Sequence, residues 1–180
     1  IWNGVVMGGG VGLSIYGNYR LVNETSRFAM PETIIGFFPD VGASYFLSNI
    51  PKNIGKYLGL TGHTLKANEM LYFKLATNYF DSKNLNKIRD QYIYNGEIEN
   101  SYFKINENSE FLKNINQIEE YFEGDFFSIL NKLENSNNEL ANNILHILNK
   151  RCPMSLMVTC ELINKAKDKS LKECLEMEFQ

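Results

Sequence analysis

Three consecutive glycines, Gly8-Gly9-Gly10, stand between the apolar run Val5-Val6-Met7 and a helically spaced segment from Val11 to Tyr19. A strand that ends in glycine and opens a helix leaves backbone amides unpaired at the helix start. Such amides favour negative charge, and glycine lets a ligand approach them closely. Two nucleotide-binding patterns fail here. A phosphate loop needs Lys-Ser or Lys-Thr after its glycines, and neither follows. A dinucleotide fingerprint needs a glycine where Leu13 stands. Two uses remain open on spacing alone. One is an oxyanion hole for a carbonyl oxygen that gains charge; the other is a close helix–strand packing contact.

The rest of the chain divides by texture. Residues 1–80 hold most of the glycine and three of the four prolines. They read as the part of the core that carries active-site loops. Ile1–Met7 is expected to be a strand with a turn at Asn3-Gly4. Arg27-Phe28-Ala29-Met30 is a second strand, stopped by Pro31. A turn-rich stretch from Glu32 to Asp40 leads into a helix over 41–48, and further helices are expected over 53–60 and 67–75. Residues 81–180 read as a helical region, Asn-rich in its middle. Leu140, Ile144, Leu145 and Leu148 repeat at helical spacing. Pro153 suits a helix start, and Ser170-Leu171-Lys172-Glu173 fits a capping box. The chain opens on Ile1-Trp2-Asn3-Gly4, which resembles the interior of a strand and turn, so a piece of a longer protein is expected.

Composition removes several function classes. Hydrophobic residues at 44% and charged residues at 22% exclude wholesale disorder. A net charge of −3 offers no basic face for nucleic acid. No apolar run approaches the roughly 20 residues a bilayer-spanning helix needs. Cys152, Cys160 and Cys174 form no CxxC pair, and free thiols in a reducing compartment are expected. Two histidines, His63 and His146, are too few for a His-rich metal site. His63 lies in a Thr-Gly-His-Thr turn and reads as structural.

Two carboxylates can carry chemistry. Glu32 directly follows a strand that Pro31 ends, so it can project from the sheet edge into a cleft. Apolar neighbours (Met30, Ile34, Ile35, Phe37, Phe38) would raise its pKa, which suits an acid, base or nucleophile. Asp40 precedes a predicted helix, and its default role is N-cap. A catalytic role for Asp40 requires one of its oxygens to stay free.

The runs Asn3-Gly4-Val5-Val6-Met7-Gly8-Gly9-Gly10-Val11-Gly12-Leu13-Ser14, Phe28-Ala29-Met30-Pro31-Glu32-Thr33 and Gly36-Phe37-Phe38-Pro39-Asp40-Val41-Gly42 together resemble the crotonase (enoyl-CoA hydratase/isomerase) superfamily. Within it they look most like the branch of 3-hydroxyisobutyryl-CoA hydrolases. The likeness continues through Leu60-Thr61-Gly62, Pro153-Met154-Ser155-Leu156 and Ser170 to Glu178; residues 81–150 match loosely. It implies an α/β fold, a spiral of ββα units lacking its N-terminal part, with a mainly helical C-terminal half. It implies an acyl-CoA thioester as substrate and no separate cofactor, coenzyme A being part of the substrate. By position, Gly9 matches the residue whose amide polarises the thioester carbonyl, Glu32 the catalytic glutamate, and Asp40 an acidic residue of the hydrolase branch. Hydratases carry a second glutamate where this chain has Gly12, and tend to have glycine where it has Asp40. The resemblance therefore implies thioester hydrolysis in valine breakdown and, by analogy, a mitochondrial location. An exposed sheet edge would favour a homo-oligomer. The alternatives are an enoyl-CoA hydratase or isomerase and an acyl-CoA-binding protein without turnover.

Overall fold

The computed structural model describes residues 1–98, 105–106 and 109–180. The elements follow in chain order. Strand β1 (Val5–Met7) leads into α1 (Gly9–Ser14), then β2 (Leu21–Val22) and β3 (Arg27–Ala29). A 3-10 turn at Glu32–Ile35 precedes α2 (Ala43–Ser48), α3 (Ile54–Thr61), β4 (Leu65–Lys66), α4 (Ala67–Tyr72) and β5 (Asn78–Tyr79). Helices then dominate: α5 (Leu85–Asn95), α6 (Glu110–Lys113), α7 (Ile115–Tyr121), α8 (Phe126–Glu134), α9 (Glu139–Leu148), α10 (Pro153–Lys165) and α11 (Leu171–Phe179).

Local chemistry accounts for most of these boundaries. Asn3-Gly4 is the expected turn, with Gly4 at φ +96°, and the strand that follows it is three residues long. Gly8 turns the chain at φ +51°, so α1 begins at Gly9, two residues earlier than the spacing predicted. It also ends early, at Ser14, and just beyond it Tyr16 donates its hydroxyl to the Gly42 carbonyl at 3.0 Å. Lys74 at φ +58° stops the segment after α4 before the predicted end. Pro153 occupies the first turn of α10. Ser170 and Glu173 form the expected capping box on α11. Strands β2, β4 and β5 have two residues each, too short for alternation to show in the sequence.

Sheet pairing positions the site. β1 and β3 run parallel, with Val5 opposite Arg27, Val6 opposite Phe28 and Met7 opposite Ala29. β4 adds antiparallel on the far side of β3, and β2 pairs parallel with β5 in a second small sheet. Parallel register makes β1 and β3 finish at the same sheet end, where the residues leaving parallel strands form ligand crevices. Gly8 leaves β1 at that end, and Met30-Pro31-Glu32 leaves β3 beside it.

Helix α3 is the hub behind that sheet end. All eight of its residues are buried, and it packs on α2, α7, α9, α10 and the Glu32–Ile35 turn. One hydrophobic core runs from Trp2 and Phe28 through Leu47, Leu58 and Ile129 to Ile163. Two glycines allow the approach. A Cβ on Gly55 would stand 1.8 Å from the Leu47 carbonyl oxygen, and one on Gly59 would press on Ile163, Leu47 and Thr159. Lys56 is buried in the same helix and donates to the Gly124 carbonyl at 2.8 Å.

Gly55→Ala is therefore expected to force α2 and α3 apart and destabilise the protein by about 1–3 kcal/mol, the scale of core overpacking. Urea unfolding of the two proteins measures it, and an unchanged midpoint would contradict the packing described.

Candidate active site

The Glu32 side chain turns back from the 3-10 turn onto the end of β1. Only 8% of the residue is exposed. Its Oε1 lies 3.3 Å from where a Cβ on Gly8 would stand, so glycine is what lets the carboxylate lie against this backbone. Its Oε2 is buried with no hydrogen-bond partner among the described residues. Burial raises the Glu32 pKa above its ordinary value; the residue's own backbone amide opposes this, and the Asp40 charge adds to it. A carboxyl that is buried, unpartnered and pushed up in pKa is the kind of group that accepts a proton or attacks a carbonyl.

The apolar run expected to surround Glu32 is itself mostly exposed. Met30 is fully buried, but Ile34, Ile35 and Phe37 are 53%, 81% and 44% exposed. They form a greasy rim after Glu32, and Phe37 stacks on Phe38 with ring centroids 4.4 Å apart. The turn is anchored from behind. Thr33 donates its hydroxyl to the Leu60 carbonyl at 3.1 Å, and Pro31 packs where Gly62 has no side chain.

Gly9 and Gly10 are exposed. As the first two residues of α1, their amides have no intrahelical carbonyl to reach. Gly9 thus follows directly on the residue that touches the Glu32 carboxylate. On this geometry the Gly9 amide is open to a ligand, which is what an oxyanion hole requires.

Asp40 is not the N-cap expected of it. Gly42 holds that position on α2, and no side chain of the cap residue bonds there. Val41 at φ +56° and Gly42 at φ +82° swing the chain between Asp40 and the helix. The amides at the start of α2 go instead to Glu178, whose Oε2 accepts from Gly42 at 2.7 Å and whose Oε1 accepts from Ser44 at 2.8 Å. Asp40 keeps its backbone role, its carbonyl accepting from Ala43 at 3.0 Å. Its charge is the lesser influence, after burial, that raises the Glu32 pKa. Sequence reasoning missed both Glu178 and Tyr16, because nothing local marks a residue that reaches across the fold.

Gly12 is filled from outside. A Cβ there would stand 2.4 Å from Val41 Cβ and 2.6 Å from Val41 Cγ2. No side chain, glutamate included, fits unless Val41 moves. Val41 is β-branched and sits in the left-handed region, which is rare and costs about 1–3 kcal/mol.

Other candidate groups lie apart from this chemistry. His63 stacks on Phe111 at 4.7 Å, and burial lowers its pKa. Cys152, Cys160 and Cys174 are unpaired. Among the described residues no cluster of three or more His, Cys, Asp or Glu is arranged to hold a metal, and no helix is long and apolar enough to cross a membrane.

Parallel strands deliver a glycine turn and a glutamate to one sheet end, with helices packed outside, and solved crotonase-type structures share this fold. An enoyl-CoA hydratase from Rhodobacter sphaeroides superposes with a TM-score of 0.87 over 98% of this chain and 52% of its own, at 28% identity. A carnitinyl-CoA dehydratase from Mycobacterium thermoresistibile superposes at 0.86 over 98% and 53%, at 30% identity. The enoyl-CoA hydratase/isomerase family matches residues 1–180, and the chain belongs to it. Among curated proteins it is similar to the mitochondrial 3-hydroxyisobutyryl-CoA hydrolase of Dictyostelium discoideum, 40% identical over all of this chain and 51% of that protein. The human mitochondrial 3-hydroxyisobutyryl-CoA hydrolase is 33% identical over 99% of this chain and 50% of its own length. The chain thus spans about half the length of these relatives.

Two expectations follow from this geometry. Gly12→Ala should destabilise the protein by about 1–3 kcal/mol through its clash with Val41. Adding Val41→Gly should return most of that loss, and a double-mutant cycle by denaturation would show additivity if the two residues did not touch. The second concerns pH. Because the folded-state pKa of Glu32 is raised above its ordinary value of 4.5, the native state binds more protons than the unfolded state within that window. Stability is then lost as pH rises through it. Glu32→Gln should therefore be more stable than wild type at neutral pH, with the gap closing below pH 4.5. Equal denaturation midpoints at both pH values would contradict the burial of an ionised carboxylate.

Proposed function

We propose that this chain carries the catalytic carboxylates of an acyl-CoA thioester hydrolase acting on 3-hydroxyisobutyryl-CoA. The carrying observation is the Glu32 carboxyl, buried against Gly8 with Oε2 unpartnered and raised in pKa by burial and by Asp40. On this reading the thioester carbonyl oxygen accepts from the Gly9 amide, which stabilises the charge that develops on it. Glu32 either attacks the carbonyl carbon, giving an acyl anhydride that water opens, or removes a proton from attacking water. Asp40 holds the substrate hydroxyl or aids protonation of the departing CoA sulfur. Coenzyme A arrives as part of the substrate, and these steps call for no further cofactor.

The same observations weigh against hydration of an enoyl-CoA, the reaction for which one structural neighbour is named. Syn-addition of water draws on a second carboxylate, and in this chain the matching position is Gly12, blocked by Val41. The names of the curated relatives support the hydrolase reading, and that they are mitochondrial proteins supports that location.

The test uses the full-length protein and follows free thiol from 3-hydroxyisobutyryl-CoA, with crotonyl-CoA hydration measured in parallel. Glu32→Gln should lower thioester hydrolysis by roughly 100- to 10,000-fold, the range of a positioned acid–base group, while substrate binding stays within a few fold. Asp40→Asn should slow hydrolysis more than it weakens binding. Turnover retained by Glu32→Gln, or a wild type that hydrates crotonyl-CoA and releases no thiol, would overturn the assignment.

A further inference from the structure

The turn that carries Asp40 is held from the far end of the chain. Residues 40–43 form a tight reversal closed by the Asp40 carbonyl and the Ala43 amide at 3.0 Å, with two successive left-handed residues inside it. Such a turn keeps its shape only when its surroundings over-determine it. Four contacts do so. Glu178 Oε2 accepts from the Gly42 amide at 2.7 Å, and its Oε1 accepts from the Ser44 amide at 2.8 Å and the Ser44 hydroxyl at 2.5 Å. From the opposite side, the Tyr16 hydroxyl donates to the Gly42 carbonyl at 3.0 Å. The closure leaves no room at Gly42. A Cβ there would stand 2.5 Å from the Tyr16 hydroxyl oxygen and 3.0 Å from Leu171 Cδ1, at the start of the helix that carries Glu178.

We infer that Glu178 is a positioning residue, which fixes the Asp40–Val41–Gly42 turn that carries Asp40 and sets Val41 over Gly12. Its hydrogen bonds among the described residues go to Gly42 and Ser44, and it acts through them. Tyr16 is its counterpart on the carbonyl side. Burial and the Glu178 charge hold the Tyr16 pKa well above its usual value, so the phenol remains a donor across the working pH range. A carboxylate suits the task, because its two oxygens accept three hydrogen bonds at once.

The inference rests on the hydrolase reading for its kinetic readout, and a structural readout stands apart from it. In the full-length protein, Glu178→Ala should lower kcat for 3-hydroxyisobutyryl-CoA by about 10- to 100-fold, the cost of a misplaced group, with KM changed less than about threefold. Glu178→Gln keeps one acceptor oxygen and should lose less. In an Asp40→Asn background, Glu178→Ala should remove little more, because the residue it positions is already disabled. Hydrogen exchange of peptides covering 40–46 should accelerate in both Glu178 variants, while peptides covering α3 stay protected. A kcat loss of the same size with and without Asp40, or unchanged exchange over 40–46, would overturn the inference. A wild type that releases no thiol defeats the hydrolase reading alone, and the exchange measurement then decides whether Glu178 holds the turn.

Discussion

Every functional relation in this molecule begins with the parallel pairing of β1 and β3. Its register sets Met7 against Ala29, so the two strands finish together and their next residues share one edge. Glycine leaves one strand and, after Met30 and Pro31, glutamate leaves the other. A one-residue shift in this pairing would turn each strand's side chains to the opposite face and separate the two exits. The pairing has only three residues on each side, so it depends on support from behind. That support is the buried α3, brought close to α2 by Gly55 and to α10 by Gly59.

Glu32 sits there at a cost that the rest of the fold offsets. A buried carboxylate with an unpartnered oxygen is destabilising, and proteins keep such groups where chemistry uses them. The nearby Asp40 charge makes ionisation harder still. Among the described residues, neither carboxylate forms an ion pair that would cancel the effect. The arrangement holds the proton affinity of Glu32 high and leaves an oxygen free to react.

The second constraint is steric. Val41 occupies the space over Gly12 only because its backbone adopts a left-handed conformation, and Gly42 next to it continues that bend. A turn of this kind is costly by itself. It is stabilised by contacts from two remote helices, with Tyr16 just past α1 and Glu178 on α11 gripping the same residue. The absence of a side chain at one position and the strained placement of a valine at another are thus parts of a single packing solution.

Much of this was legible in the residues alone. The glycine triplet, the strand ended by Pro31, Glu32 just beyond it, the proline at the head of α10 and the capping box on α11 are local features, and local chemistry acts over a few positions. The family and fold were implied by the resemblance of the runs that contain several of them, which also marked Glu32 and Asp40 as candidates. The cap on α2 was not legible. Asp40 stands in the right place for one, yet the Gly42 amide goes to Glu178, 136 positions further along the chain. Nor did the two-residue strands announce themselves, since a strand that short exists only through its partner. Residue order settles which groups are present and which local conformations they favour. Which of them meet is settled by packing, because burial and long-range hydrogen bonds are properties of the folded chain and leave no mark on any short stretch of it.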